Sequence, residues 1–185
     1  MFRRVNSQYI LLVFLIVAGV GIIVLLQKYD SLFKLSGKPR ILKGVPAPGF
    51  SLPGIDRKLV NLEDYKGKVV LLNIWATWCP PCVEEMPSME KLYQELKDED
   101  FVILAVSIDV SGSNVVTLFM EKHKLSFPAL TDTQGTLKTL YQTTGVPESF
   151  IIGKDGIIAE KIIGPRDWAT PEVISYFKNL IQINL

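Results

Sequence analysis

The chain has 185 residues, 48% of them hydrophobic, which is enough for one packed domain and an accessory segment but not for a second full domain. Its formal net charge is +1, from 20 Lys and Arg against 19 Asp and Glu spread along the chain, so nothing favours nucleic acid or another anionic surface as a partner. The two cysteines, Cys79 and Cys82, stand too close together for a bridge between them to be a useful structural staple. With His123 the single histidine, the chain also lacks the four ligands of a structural zinc site.

The first segment reads as a membrane anchor. Ile10 to Leu26 carries no charged or strongly polar side chain, a run of about 17 residues that as helix extends roughly 25 Å, close to the thickness of a bilayer core. Arg3 and Arg4 precede it and Lys28 follows, so the positive-inside tendency places the N-terminus in the cytoplasm and the rest outside. The small residues Ala18, Gly19 and Gly21 lie inside the run rather than at a cleavage site, which favours a retained anchor over a cleaved signal peptide. The expected division is a cytoplasmic terminus over 1–8, a transmembrane helix over 9–27, a linker over 28–44 and one folded domain over 45–185.

Within that domain, Phe50-Ser51-Leu52 and Lys58-Leu59-Val60 flank a turn and predict a hairpin. Val69 to Trp75 is an apolar run suited to a strand buried on both faces. From Pro81 to about Lys97, Met86, Met89, Leu92, Tyr93 and Leu96 recur at helical spacing, and Phe101 to Ile108 is again β-branched and apolar, so the three form a parallel βαβ unit. Further elements are a helix over Val115–His123, a short extended piece over Phe127–Leu130 and a short helix over Thr136–Tyr141. Next come a hairpin from Glu148–Ile152 to Ile157–Ile163, and a final amphipathic helix opened by Pro171. This order predicts an α/β fold, a central sheet with helices on both faces.

The chemistry centres on Trp78-Cys79-Pro80-Pro81-Cys82. Disulfide exchange needs one exposed, acidified thiol and a second close enough to resolve the mixed disulfide. At a strand-to-helix turn Cys79 meets unpaired helix amides and the positive end of the dipole, and Cys82 lies one turn in, so Cys79 is the expected nucleophile and Cys82 the resolving residue. Pro80 and Pro81 fit a first helical turn but donate no hydrogen bond to the Cys79 sulfur, which weakens thiolate stabilisation and points to a reductant.

Asn73-Ile74-Trp75-Ala76-Thr77-Trp78-Cys79-Pro80-Pro81-Cys82 resembles the thioredoxin superfamily, and more narrowly its TlpA/ResA/CcmG-like branch of membrane-anchored thiol–disulfide oxidoreductases. The similarity runs from Ala47-Pro48-Gly49-Phe50 to Gly145-Val146-Pro147-Glu148-Ser149-Phe150. It implies a thioredoxin fold on the bacterial cytoplasmic membrane, with a single span and a periplasmic or otherwise extracytoplasmic domain. No cofactor is needed beyond the cysteine pair. The implied partners are protein thiols and disulfides, apocytochrome c among them, and a membrane thiol transporter supplies the electrons. The resemblance also assigns residues. Asn73 stands where many relatives carry a buried Asp, so the base must be elsewhere, and Glu85 matches the acid that tunes both thiols. A carboxylate in the first turns of a helix also suits the dipole with no further role. Val146-Pro147 matches the cis-proline loop facing the cysteines, and Glu148 the acid beside it that helps select partners. Trp78, with Pro80 and Pro81, offers docking surface, while Trp75 belongs in the core.

Two other functions compete. Pro46-Ala47-Pro48-Gly49-Phe50 resembles the opening of peroxiredoxins, but Ala76 stands where their catalytic pattern needs threonine. A copper-binding assembly module would also use a thiol pair, although the residues around Pro147 include no histidine.

Overall fold

The structure, a computed structural model, describes residues 16–27 and 43–183. The chain divides into two compact units, Met1–Arg40 and Ile41–Leu185. In the first, residues 16–27 are helical. Among the described residues no helix is long and apolar enough to cross a membrane. The start of the expected anchor, 9–15, the terminus over 1–8 and the linker as far as residue 42 lie outside the described residues.

In the second unit a five-stranded mixed sheet has the order β5 (Ala129–Thr131), β4 (Phe101–Ser107), β3 (Val69–Trp75), β6 (Glu148–Ile152), β7 (Ile158–Ile163). β3 (Val69–Trp75) is central and wholly buried, as its unbroken apolar run requires. It pairs in parallel with β4 (Phe101–Ser107), which pairs in parallel with the short edge strand β5 (Ala129–Thr131). On its other side β3 runs antiparallel to β6 (Glu148–Ile152), and β6 to β7 (Ile158–Ile163). The small hairpin of β1 (Ser51–Pro53) and β2 (Leu59–Asn61) stands apart from this sheet but meets its edge, where Ile55 N–H donates to the Ala129 carbonyl at 3.0 Å. Part of that exposed edge is thereby covered.

The pleat sends alternate residues of β3 and β4 to opposite faces. On one face Leu71, Trp75, Ile103 and Ala105 pack against α1 (Pro80–Leu96), α2 (Ser113–His123) and α4 (Pro171–Gln182). On the other, Val70, Leu72, Ile74 and Leu104 meet Phe50, Leu52, the 3-10 turn Leu62–Tyr65 and α3 (Thr136–Leu140). Helices do cover both faces, as expected, but unequally: the second is closed largely by the N-terminal hairpin segment and two short helical turns. The Tyr141 hydroxyl, donating to the Pro48 carbonyl at 2.7 Å, fastens that segment down.

The connections fix where the site can form. The β3-to-α1 turn leaves the sheet beside the β4-to-α2 loop, because Trp75 is in register with Ser107. The loop that precedes β6 arrives at the same end, because Ile74 is in register with Glu148.

Candidate active site

Cys79 and Cys82 are joined as a disulfide, with Cα atoms 5.3 Å apart. Cys79 is the N-cap of α1, in extended backbone conformation, and its sulfur accepts the Cys82 N–H at 3.3 Å. The prolines in the first turn thus leave one amide free to reach the sulfur, a donor that counting side chains in the motif overlooks. Cys79 is more enclosed than expected, 4% exposed against 0% for Cys82. The two cysteines still differ in the anticipated direction, Cys79 at the N-terminal end of α1 keeping a little access and Cys82 in its first turn keeping none.

The loop before β6 supplies the second wall. Val146-Pro147 is a cis peptide, and the Val146 carbonyl oxygen lies 3.6 Å from Cys79 Sγ. In the dithiol form this oxygen can accept from a protonated Cys79 and repels its anion, which works against the helix dipole. Pro147 is buried and Val146 half-buried, whereas Trp78 is 64% exposed and Pro80 exposed, with Pro81 half-buried. Trp75 is wholly buried.

Glu85 sits beneath the cysteines on α1 and is also buried. Its Oε1 accepts from Asn73 Nδ2 at 2.9 Å, and its Oε2 from Trp168 Nε1 and Arg166 N–H, both at 3.1 Å. Burial pushes this carboxyl above the usual carboxylate range, and the hydrogen bonds from Trp168, Asn73 and Arg166 pull it part of the way back. Asn73 also donates to Ser149 Oγ at 2.9 Å, while its own Oδ1 has no partner. The two positions considered separately in the sequence, Asn73 and Glu85, are therefore one network. Trp168 and Arg166 complete it from a loop more than eighty residues away. Nothing in the local sequence marks them, although a tryptophan in the otherwise polar Gly164-Pro165-Arg166-Asp167 stretch was a usable signal.

Glu148 is wholly enclosed. It is 0% exposed, with Oε1 2.7 Å from Lys161 Nζ and Oε2 accepting the Thr144 N–H at 3.0 Å. A carboxylate so enclosed cannot touch a docking partner. The reason is topological: β6 is interior to the sheet, and β7 delivers the Lys161 ammonium over Phe150, 5.1 Å from its ring centre. A further carboxylate, Asp109, was not foreseen. It accepts from Thr77 N–H at 2.9 Å, Thr77 Oγ at 2.7 Å and Ser107 Oγ at 2.6 Å, fastening the turn that carries the nucleophile to the end of β4.

Comparison with known proteins agrees with this geometry. Residues 44–161 match the AhpC/TSA family model. The chain is 38% identical over 129 residues to a thiol-disulfide oxidoreductase ResA of Bacillus cereus, covering 70% of this chain and 74% of the relative. It is 34% identical over 154 residues to the ResA of Bacillus subtilis (strain 168), covering 83% of each. Among solved structures, a thiol:disulfide interchange protein DsbE from Chlorobium tepidum superposes with a TM-score of 0.65 at 32% identity, covering 75% of this chain and 94% of that one. With a disulfide capping a helix opposite a cis-proline loop, and with relatives of this similarity, the chain belongs to the thioredoxin-like AhpC/TSA family and is a thiol–disulfide oxidoreductase of the ResA kind.

Proposed function

We propose that this oxidoreductase reduces protein disulfides outside the cytoplasm, tethered by its N-terminal segment, with apocytochrome c as a substrate and a membrane thiol transporter as electron donor. The observation that carries the reading is the asymmetry of the pair: Cys79 caps α1 beside the Val146 carbonyl and keeps a little access, whereas Cys82 is wholly buried. The Cys79 thiolate attacks one sulfur of a substrate disulfide, forming a mixed disulfide and releasing the other substrate sulfur as thiolate. Cys82 then gives up its proton and attacks Cys79 Sγ, so the second substrate sulfur leaves with the electron pair of the bond and the enzyme ends as the Cys79–Cys82 disulfide. Two electrons have passed to the substrate, and the transporter restores them.

Glu85 is one helical turn beyond Cys82 and is the buried carboxyl suited to hold the proton that Cys82 releases. Pro80 and Pro81 donate nothing to the nucleophile, and the Val146 oxygen opposes its anion, both of which support a reducing couple. Trp78 and the Val146-Pro147 backbone form the surface on which an extended substrate segment lies.

The test is to trap partners with Cys82→Ser in cells. This variant should stall with Cys79 joined to its substrate, and mass spectrometry should recover apocytochromes bearing a CxxCH site. Trapping through Cys79→Ser, or of cytoplasmic proteins alone, would overturn the assignment.

A further inference from the structure

Beside Cys79 lies a mainly apolar groove of about 350 Å³, lined by Ile74, Trp78 and Ile108 together with Thr143, Thr144, Gly145 and Val146, with Lys138 as its one charged residue. Each wall is fastened by a buried carboxylate. Asp109, 4% exposed, grips Thr77 through both its backbone N–H and its hydroxyl. Glu148, paired with Lys161, grips Thr144 N–H. Neither residue is needed to satisfy the strand ladder, and buried carboxylates are costly unless paired and hydrogen-bonded. Both are spent on the two short loops between which a substrate must pass.

We propose that Asp109 and Glu148 are positioning residues that set the spacing of this groove, and through it the affinity for an extended polypeptide segment carrying the disulfide to be reduced. The proposal rests on the disulfide-reductase reading above. Its consequence is a separation of substrates: a protein disulfide needs both walls in place, whereas a small aromatic disulfide needs only the Cys79 sulfur.

The experiment compares the purified wild type with Asp109→Ala, Thr77→Val and Glu148→Ala, each checked for its far-ultraviolet spectrum and melting. Two rates are measured, reduction of insulin and reaction of the dithiol form with 5,5′-dithiobis(2-nitrobenzoic acid). Each variant removes a charge-assisted bond, so insulin KM should rise about tenfold, and by at least about fivefold more than any change in the small-disulfide rate. Asp109→Asn should restore the insulin KM, because an amide can still accept from Thr77 N–H and donate to the Thr77 hydroxyl. Thr77→Val deletes only a hydroxyl and decides the matter should Asp109→Ala fail to fold. Equal effects on both substrates, or no effect on either, would overturn the proposal and leave the reductase reading intact. A wild type that exchanged with neither substrate would instead remove that reading.

Discussion

Serine in place of Cys79 should reduce insulin-disulfide turnover at least roughly a thousandfold, the scale on which loss of a covalent nucleophile is felt. No other thiol can take its place, since Cys82 is wholly buried and the chain has no third cysteine. The variant should nevertheless stay folded. The Cys79–Cys82 bridge closes a loop of only a few residues, and on the chain-entropy account such a loop contributes about 2 kcal/mol. A domain of this size typically holds a reserve of roughly 5–15 kcal/mol, so the loss is tolerable. Circular dichroism should show native secondary structure alongside absent turnover. Residual activity within about tenfold of wild type would mean that electrons take another route.

Glu85→Gln should change how stability depends on pH while leaving the fold in place. Three donors point at the carboxylate, and in the variant one of them would face an NH2 group. Asn73 resolves the conflict: turning its amide over presents the Oδ1 that now lacks a partner, which can accept from the introduced amide and from Ser149 Oγ, while two donors remain on the new side-chain oxygen. The substitution therefore removes charge with little loss of hydrogen bonding. In the wild type, burial raises the folded-state pKa of Glu85 above its ordinary value of 4.5. Between 4.5 and the raised value the folded state holds more protons than the unfolded state, so Glu85 contributes fully at low pH and loses stability as pH rises through that window. Urea titrations from about pH 4 upward should show this decline in the wild type and a shallower one in Glu85→Gln. Parallel curves would show that Glu85 is not the titrating group. The pH profile of insulin reduction should lose a step in the same variant if Glu85 takes the proton of Cys82.

The parts of the fold written in local periodicity were readable from sequence. The β3–α1–β4 unit follows from two continuous apolar runs and a helical stripe between them. The β6–β7 hairpin follows from Gly153-Lys154-Asp155-Gly156, where residues with a polar turn signature interrupt apolar strands. β5 was legible only as an extended piece because three residues carry no period, and its pairing to β4 depends on the intervening helix. The cysteines were legible for the same local reason, their chemistry being set by spacing at a helix start.

What sequence could not supply were the distant partners of buried charges. Asp109 lies 32 positions from Thr77, and Trp168 lies 83 from Glu85. For Glu148 the sequence offered only a resemblance to an acid that helps select partners, with no sign of its burial. Its burial depends on an ammonium carried in by β7, thirteen residues on, a long-range pairing with no local mark. The enclosure of Cys79 has a similar origin, since the Val146 carbonyl reaches it from 67 positions away.

Competitive alkylation of the fully reduced domain tests the two-sulfur mechanism most directly. Limiting iodoacetamide at neutral pH, followed by peptide mapping, should label Cys79 at least about tenfold faster than Cys82, because the thiolate at the helix start is both better stabilised and better exposed. Equal labelling, or preference for Cys82, would contradict the roles assigned to both residues.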